Sequence, residues 1–410
     1  MGGGVGRTLP ETTELVLAEP PPPNPLPQGE GEQGPAPARR LPALKILEIT
    51  NVDFSLRHFL LPLMRAIRAR GHEVMGACAE GPLLAEVRDE GFRIVAVPFE
   101  RRLSPLAHLR AFRSLVAMMR AEKPDLVHAH MPISAFLARL AAKIAGVPRV
   151  AYTCHGFLFN QTGPWPRKVI GYLMEFVAAP FTDLFFTVSA EEAADARRLW
   201  ITSRAIPLGN GRDPALFRPD PARRARVRQA LGAAPDRVAI VAVSRLVLQK
   251  GYRELAAAMR TLPEAELWVV GERLASDRGE DMVAHLSAAG LGDRLRLLGY
   301  RRDVPDVLAA ADIFTLPSYF EGLPMSVIEA MLSGLPVVAT NVQGPREQVV
   351  EGVTGFLVPP KTVAPLAEAL GRLARDAALR ARMGLAGRAR AVELYDEGKV
   401  LARTLELLGL

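Results

Sequence analysis

Short apolar segments alternate with helical segments twice along the chain, and this double alternation limits the fold more than any other feature of the sequence. The first series runs from residue 44 to residue 188 and the second from residue 237 to residue 358. Strands that alternate with helices form parallel sheets covered by helices on both faces. The sequence therefore predicts an α/β protein with two doubly wound, Rossmann-like domains. A ligand is expected in the cleft between them, at the carboxyl ends of the strands.

The same pattern divides the chain into four segments. Residues 1–42 contain glycines, a run of four prolines and few large apolar residues, which is typical of a disordered tail. Residues 43–206 are predicted to form the first domain, which ends at a glycine- and proline-rich break. Residues 207–385 are predicted to form the second domain, and residues 386–410 a C-terminal helix. The predicted strands are residues 44–49, 72–78, 93–98, 126–129, 149–153, 184–188, 237–243, 266–270, 294–298, 313–316, 336–339 and 356–358.

Composition excludes several classes of protein. The chain is 49% hydrophobic and 23% charged, as folded water-soluble domains are, and it contains no apolar run long enough to predict a membrane-spanning helix. Its only cysteines, Cys78 and Cys154, cannot build a disulfide framework or a cysteine-rich metal site. This usage and the lack of a signal-peptide pattern predict a cytoplasmic location.

The positive charge is concentrated on the first domain. The chain carries a net charge of +7, and residues 43–206 contribute 21 basic against 15 acidic side chains. This excess suits contact with an anionic membrane or a phosphorylated partner, although an ordinary solvated surface explains it equally well. Residues 101–113 and 165–172 mix basic with large apolar side chains, so they are candidates for peripheral membrane contact. The alternative is that their apolar sides pack on the sheet. Nucleic-acid binding is not expected, because no basic run is interleaved with stacking aromatic residues.

Residues 313–340 form the most informative single stretch. They predict a strand, a loop, a helix of about ten residues and a second strand, with Pro324 at the first helical position. Such a loop opens onto a helix N-terminus, whose free N–H groups and dipole favour a phosphate. Glu321 and Glu329 flank that site, eight positions apart. Beside a phosphate these carboxylates make sense if they accept hydrogen bonds from the hydroxyls of a sugar or a ribose.

This stretch resembles the signature of the retaining family 4 glycosyltransferases of GT-B fold. The resemblance rests on Glu321 and Glu329 at their spacing, on Gly322 and Pro324, and on the Ala-Met-x-x-Gly-x-Pro-Val-Val-Ala-Thr that follows. It implies that the second domain binds a nucleotide sugar, that the first binds the acceptor, and that the C-terminal helix returns to the first domain. Alone, two glutamates at this spacing would describe an ordinary βαβ unit.

The resemblance extends over nearly all of the second domain. Arg245 and Lys250, in the string Ser-Arg-Leu-Val-Leu-Gln-Lys-Gly, match the family element whose cations bind the nucleotide diphosphate, although alone they read as a basic turn. Tyr300 and Arg301 match the segment near the base, with a plain surface loop as the alternative. The donor-binding residues implied in this way are Arg245, Lys250, Gly271, Tyr300, Arg301, Glu321, Gly322, Leu323, Pro324, Met325, Ser326 and Glu329.

In the first domain, histidines are the candidate residues. His155 matches the family's strand-end histidine before glycine and is expected at the sugar or acceptor, with a capping or core role as the alternative. His128 and His130 share one face of a strand, but no third ligand is in evident register, so no metal site is expected. His130 is also a candidate for acceptor contact. Many family members carry a Gly-Gly loop after the first strand, which this chain lacks at residues 50–57, so acceptor contacts there are guesses only: Asp53, Ser55 and Arg57.

These observations predict a retaining glycosyltransferase that moves a sugar from a nucleotide diphosphate sugar, with UDP favoured, to an acceptor hydroxyl. The acceptor is expected to be a lipid-linked or polysaccharide precursor, because the strings at residues 52–57, 128–130 and 153–157 resemble a subgroup that makes such molecules. The expected catalytic residues are His155, Glu321, Lys250 and Arg245. No metal or other cofactor is expected. A GT-B epimerase or hydrolase and a non-catalytic nucleotide-sugar binder are the alternatives.

Overall fold

Two parallel β-sheets organise the computed structural model. The structure describes residues 1–2, 42–100, 104–234, 237–273, 277 and 279–410, and Ala43–Leu410 form one compact unit. The tail predicted at residues 1–42 therefore lies almost wholly outside the described residues, as do the first three residues of the predicted membrane segment 101–113.

The first domain is built on a seven-stranded sheet with the order β3-β2-β1-β4-β5-β6-β7. The non-sequential order places helices on both of its faces, as the alternation predicts. Its strands are β1 (Lys45–Ile49), β2 (Glu73–Cys78), β3 (Arg93–Ala96), β4 (Leu126–His130), β5 (Arg149–Cys154), β6 (Leu184–Thr187) and β7 (Ile206–Pro207). Its helices are α1 (Asp53–Ser55), α2 (Leu61–Ala69), α3 (Leu84–Asp89), α4 (Pro105–Glu122), α5 (Pro132–Ala145), α6 (Trp165–Ala178) and α7 (Ala190–Arg198).

The second domain is built on a six-stranded sheet with the order β10-β9-β8-β11-β12-β13. Its strands are β8 (Val238–Val243), β9 (Ala265–Val270), β10 (Leu295–Gly299), β11 (Ile313–Leu316), β12 (Val337–Thr340) and β13 (Gly355–Val358). The helices that follow the first domain are α8 (Pro221–Leu231), α9 (Tyr252–Arg260), α10 (Met282–Ser287), α11 (Val304–Ala310), α12 (Met325–Leu332), α13 (Pro345–Gln348), α14 (Ala364–Arg375), α15 (Ala377–Leu394) and α16 (Glu397–Leu408).

Each sheet separates two hydrophobic clusters because its strands are apolar on both faces. In β1, Leu47 packs into one cluster and Ile46 into the other. In β8, Ile240 and Val241 divide in the same way. Burial on both faces is the usual environment of parallel strands. Two doubly wound domains are therefore confirmed.

The chain end returns to the first domain. Leu405 and Leu408 of α16 are buried in the same cluster as Ile46 of β1. The helix before it, α15, packs with the second domain, where its Ala391 is buried. The two helices are separated at Asp396, whose carboxylate accepts a hydrogen bond from the backbone N–H of Lys399 at 3.2 Å. The returning segment is therefore α16.

The first helical segment begins at Asp53, and a π-helical turn at Leu56–Leu60 interrupts its regular spacing of apolar residues. One local prediction needs correction. Pro324 does not occupy the first helical position of α12. It precedes that position with an extended ψ of 123°, and Met325 is the first helical residue. Strand ends otherwise differ from the predictions by one or two residues.

Candidate active site

The two domains meet where loops leave the ends of β5 and β11. His155 follows β5, and Gly322 lies in the loop after β11. A Cβ atom on Gly322 would lie 3.0 Å from the carbonyl oxygen of His155, closer than nearly all real Cβ contacts. The backbone of one domain therefore approaches the backbone of the other at this point. This approach places His155 of the first domain beside Gly322 of the second, one predicted site residue from each.

Lys250 and Glu321 form the centre of the predicted donor site. The Lys250 ammonium donates to the Glu321 carboxylate at 2.5 Å, and the side chains are 16% and 10% exposed. The two loops are also joined through their backbones, because the N–H of Tyr319 donates to the carbonyl of Gln249 at 2.8 Å. The cation expected at a diphosphate and the carboxylate expected at a sugar therefore neutralise each other in this structure.

Arg245 lies on the same loop as Lys250 but has a different partner. Its guanidinium donates to the carboxylate of Asp277, and its side chain is 41% exposed. Asp277 gave no sequence signal of its own. Because Arg245 is already paired, a bound diphosphate would compete with Asp277 for this guanidinium.

Glycines let these donor-side loops approach each other. Gly251 has a φ of +74°, and a Cβ there would lie 1.9 Å from the carbonyl oxygen of Pro317. Gly271 has a φ of +129°, and a Cβ there would lie 2.1 Å from the carbonyl oxygen of Ser244. Only glycine avoids both the left-handed strain and the clash. The predicted donor residue Gly271 is therefore required by the backbone itself.

Helix α12 presents its N-terminus to the same region. The carbonyl of Leu323 accepts from the Asn210 amide at 2.8 Å, and that of Pro324 accepts from the Gln348 amide at 3.0 Å. These bonds fix the entry of the chain into the helix, while Met325 and Ser326 stay partly exposed. The first N–H groups of a helix have no intrahelical partner and attract anions.

Glu329 contacts a residue that the sequence did not identify. Its carboxylate accepts a hydrogen bond from Arg212 Nε at 2.7 Å. The backbone N–H of Arg212 donates to the carbonyl of Tyr395 at 2.9 Å, and the N–H of Glu397 donates to the carbonyl of Arg212 at 3.1 Å. Arg212 thus joins the segment between the domains to the second glutamate of the motif. Its place just after the glycine-rich break was the only available signal.

Tyr300 and Arg301, predicted near the base, have separate partners. The Tyr300 hydroxyl lies 3.4 Å from His58 Nε2 in the first domain. The Arg301 guanidinium instead forms two bonds to Asp303, at 2.7 and 2.6 Å. The structure does not bring these two side chains together at one point.

The acceptor candidates near the first strand hold local structure. Ser55 is only 5% exposed. The Asp53 carboxylate accepts from the backbone N–H groups of Phe54 at 2.8 Å and Leu83 at 3.2 Å. Arg57 pairs with Glu86 at 2.8 Å. Ser55 therefore exposes little surface in this structure, and acceptor contact at these three residues stays a prediction.

Behind His155 lies a buried network that the sequence revealed only in part. His130 Nδ1 lies 3.0 Å from His155 Nε2, and His130 Nε2 lies 2.8 Å from Glu48. The other oxygen of Glu48 lies 3.2 Å from His128 Nδ1, and His128 Nε2 lies 2.8 Å from the hydroxyl of Thr153. Glu48 is the third polar group beside His128 and His130, and it was not identified from the sequence. A carboxylate inside an apolar strand was the available signal.

The charges of this network follow from its hydrogen bonds. Burial alone would raise the pKa of Glu48, but the charge of His128 and hydrogen bonds from both imidazoles lower it to about 2. Burial, with the nearby charge of His128, lowers the pKa of His130 to about 4. Burial and the neighbouring histidines hold the pKa of His155 well below its ordinary value. Glu48 is therefore ionised at neutral pH, while His130 and His155 are neutral.

The ligating atoms of Glu48, His128 and His130 lie within 4.8 Å of one another, a spacing that a metal ion also permits. Both Glu48 oxygens already accept from imidazole nitrogens, so hydrogen bonds alone account for the cluster. A cavity of about 80 Å³ adjoins the network, lined among others by His155, Arg212 and Met325.

The chain is similar to known glycosyltransferases along most of its length. Residues 58–216 match the model described as Glycosyltransferase Family 4, and residues 223–390 match the model described as Glycosyl transferases group 1. UDP-Gal:alpha-D-GlcNAc-diphosphoundecaprenol alpha-1,3-galactosyltransferase of Escherichia coli is 30% identical over 312 residues, which cover 74% of this chain and 80% of that relative. N,N'-diacetylbacillosaminyl-diphospho-undecaprenol alpha-1,3-N-acetylgalactosaminyltransferase of Campylobacter jejuni is 26% identical over 380 residues, which cover 89% of this chain and 98% of the relative.

Solved structures agree on the fold. The crystal structure of Anabaena HepE in complex with UDP and glucose superposes with a TM-score of 0.79 at 24% identity, covering 89% of this chain and 99% of HepE. The two parallel-sheet domains and the facing loops are thus those of the GT-B architecture. The chain belongs to the family 4 glycosyltransferases of GT-B fold, and it is an enzyme of the glycosyltransferase type.

Proposed function

We propose that this enzyme is a retaining glycosyltransferase that moves a hexose-type unit from a UDP-sugar to a hydroxyl of a lipid-linked saccharide. The convergence of Lys250, Glu321 and the N-terminus of α12 opposite His155 is the observation that carries the proposal. A nucleotide diphosphate brings two negative phosphates, which suit the cation and the helix end. A sugar brings the hydroxyls that Glu321 can accept from.

In the proposed reaction, the bond from the anomeric carbon to the diphosphate breaks while a bond to the acceptor oxygen forms on the same face. The acceptor proton passes to the departing phosphate oxygen. Lys250, Arg245 and the amides after Glu321 stabilise the charge that develops on the diphosphate, so we propose that no metal ion is needed. Glu329, held by Arg212, is proposed to accept from the ribose hydroxyls.

UDP-sugars and lipid-linked acceptors are proposed on the strength of the relatives. The E. coli and C. jejuni enzymes carry a diphosphoundecaprenol acceptor in their names, and HepE was crystallised with UDP and glucose. Reaching such an acceptor requires the enzyme to approach a membrane. Among the described residues, no helix combines the length and apolarity needed to cross a bilayer.

Helix α6 offers a surface for peripheral contact, and we propose that it lies against anionic lipid on the inner face of the cytoplasmic membrane. Six apolar side chains of this helix do not pack on the sheet, because they are between 41% and 74% exposed. Arg167 and Lys168 supply positive charge on the same helix. Exposed apolar side chains next to basic ones are typical of membrane-surface helices. The six residues are Trp165, Val169, Ile170, Leu173, Phe176 and Val177.

Slow hydrolysis of nucleotide sugars tests the donor proposal without an acceptor in hand. We expect the enzyme to release UDP from at least one of UDP-glucose, UDP-galactose and UDP-N-acetylglucosamine, and to leave GDP- and ADP-sugars intact. Lys250→Ala and Glu321→Ala should each reduce this release at least about a hundredfold, because each removes a group proposed to contact the reacting donor. The exposed residues Lys143 and Glu368 give matched controls as Lys143→Ala and Glu368→Ala.

The outcomes separate the alternatives. Proton NMR of the released or transferred sugar reports its first-formed anomer, and inversion would contradict the retaining mechanism. Conversion of the donor to its epimer would favour an epimerase. Binding of UDP-sugars without any turnover, with or without EDTA, would favour a non-catalytic binder. Loss of turnover in EDTA and recovery with a divalent ion would overturn the metal-independent mechanism.

A further inference from the structure

The buried chain from Glu48 through His130 to His155 has a fixed direction. Glu48 is ionised, so both of its oxygens can only accept hydrogen bonds. His130 Nε2, at 2.8 Å from Glu48, must therefore carry its proton. A neutral imidazole has one N–H and one bare nitrogen, so His130 Nδ1 is the bare one.

The same reasoning passes to His155. Because His130 Nδ1 carries no proton, the 3.0 Å contact to His155 Nε2 is a hydrogen bond only if His155 donates it. His155 is then protonated at Nε2 and bare at Nδ1. Of its two ring nitrogens, Nδ1 is the one left to accept a hydrogen from another molecule.

We propose that Glu48 and His130 are positioning residues that fix the tautomer of His155, so that its Nδ1 accepts a hydroxyl hydrogen of the sugar bound between the domains. The sugar as ligand rests on the proposed function, whereas the tautomer rests on the two hydrogen bonds together with an ionised Glu48 and neutral imidazoles at positions 130 and 155. Because His155 is already held in one tautomer, substrate binding does not include the free-energy cost of selecting that tautomer. His155 also lines the cavity between the domains, so the ring is not sealed from a ligand.

The other half of the network provides a matched control. His128 bonds the second oxygen of Glu48 on one side and Thr153 on the other, so it lies off the path to His155. Thr153→Val removes the hydroxyl that contacts His128 with little change in volume. It should therefore perturb the network without altering the Glu48–His130–His155 path.

The first test is NMR of protein labelled with 15N-histidine, which reports the protonated nitrogen of each ring. We expect His130 and His155 to carry their proton on Nε2 between pH 6.5 and 8. A proton on Nδ1 of His155 would overturn the proposal. This measurement requires no variant and no turnover, so it stands even if the proposed reaction is wrong.

The second test compares His130→Gln with His130→Leu. A glutamine can donate its N–H to Glu48 and accept from His155 with its oxygen, which preserves the direction of the chain, whereas leucine cannot. We expect His130→Leu to lower kcat for UDP-sugar hydrolysis by about tenfold or more, with the affinity for UDP unchanged, and His130→Gln to recover most of the loss. Thr153→Val should retain the wild-type kcat and tautomer.

Three results would count against this assignment. Equal losses in the glutamine and leucine variants would indicate a purely structural histidine. A wild-type kcat in His130→Leu would show that the His155 tautomer does not matter for the reaction. One equivalent of tightly bound zinc, with imidazole shifts that move on chelation, would make Glu48 and the histidines a metal site.

Discussion

The carboxylate of Glu347 accepts a hydrogen bond from the backbone N–H of Glu191 at 2.7 Å, and a second from that of Ala190 at 2.9 Å. Glu347 belongs to the second domain, whereas Ala190 and Glu191 begin helix α7 of the first. A carboxylate at a helix N-terminus satisfies N–H groups that lack a partner within the helix and interacts favourably with the dipole. The contact therefore stabilises the arrangement in which the two domains face each other across the active site.

Removal of this carboxylate should favour domain opening. Glu347→Ala deletes two hydrogen bonds of the kind that helix caps make, worth about 1 kcal/mol, which corresponds to roughly a fivefold shift between closed and open forms. We expect a larger radius of gyration by X-ray scattering and slower UDP-sugar hydrolysis, because closure excludes water and completes the site. Glu368→Ala, on an exposed part of α14, serves as the control. Unchanged scattering and rate would show that Glu347 does not control closure.

Much of this architecture could be predicted from the sequence, because parallel sheets and helix starts leave local patterns. The two domains, the loop that holds Lys250 and the helix after Glu321 all appear as short stretches of the chain. What escaped prediction depends on pairs far apart in sequence. Glu48 meets His130 across 82 positions and Arg212 meets Glu329 across 117. Such partners become visible only when neighbouring strands, or the two domains, are brought together.

Gly251 offers a test of how tightly the donor loops must approach each other. Gly251 and Gly290 have nearly the same φ, +74° and +72°, but a Cβ on Gly251 would meet the carbonyl of Pro317, whereas Gly290 faces open space. Both alanine variants should lose about 1 kcal/mol from left-handed strain. The free energy of unfolding, measured in urea, should fall further in Gly251→Ala than in Gly290→Ala. Gly251→Ala should also bind UDP more weakly because Lys250 is displaced. Equal losses in the two variants would show that the loop adjusts without cost.

The exposed face of α6 should govern membrane binding. We expect the double variant Leu173→Ser, Phe176→Ser to bind vesicles containing phosphatidylglycerol at least about tenfold more weakly, because each apolar side chain contributes roughly 1–3 kcal/mol when it leaves water. Binding by the wild type should also weaken in neutral vesicles and at high salt. Leu385, which is 74% exposed on α15, provides the control Leu385→Ser. Equal binding by the α6 variant and this control would exclude α6 as the docking surface.

Glu192 should make the protein less stable as the pH rises. Its side chain is fully buried beneath the interdomain contact. Burial and the charge of Glu347 raise the pKa of Glu192 from 4.5 to about 8, and hydrogen bonds from nearby backbone N–H groups oppose part of this increase. Between these values the folded protein holds a proton that the unfolded chain has released, so the free energy of unfolding decreases as the pH rises through that window. His130 acts in the opposite direction, but only between pH 4 and 6.5, because its pKa is lowered to about 4.

Measurements above pH 6.5 therefore isolate the glutamate. From pH 6.5 to 8, loss of the Glu192 proton should lower the free energy of unfolding of the wild type by about 2 kcal/mol, at roughly 1.4 kcal/mol for each pH unit. Glu192→Gln carries no titratable proton, so its free energy of unfolding by urea should stay nearly constant over the same range. The variant should consequently gain about 2 kcal/mol relative to the wild type by pH 8, whatever the substitution costs at pH 6.5. Parallel pH profiles for the two proteins would mean that Glu192 is already ionised in the folded state.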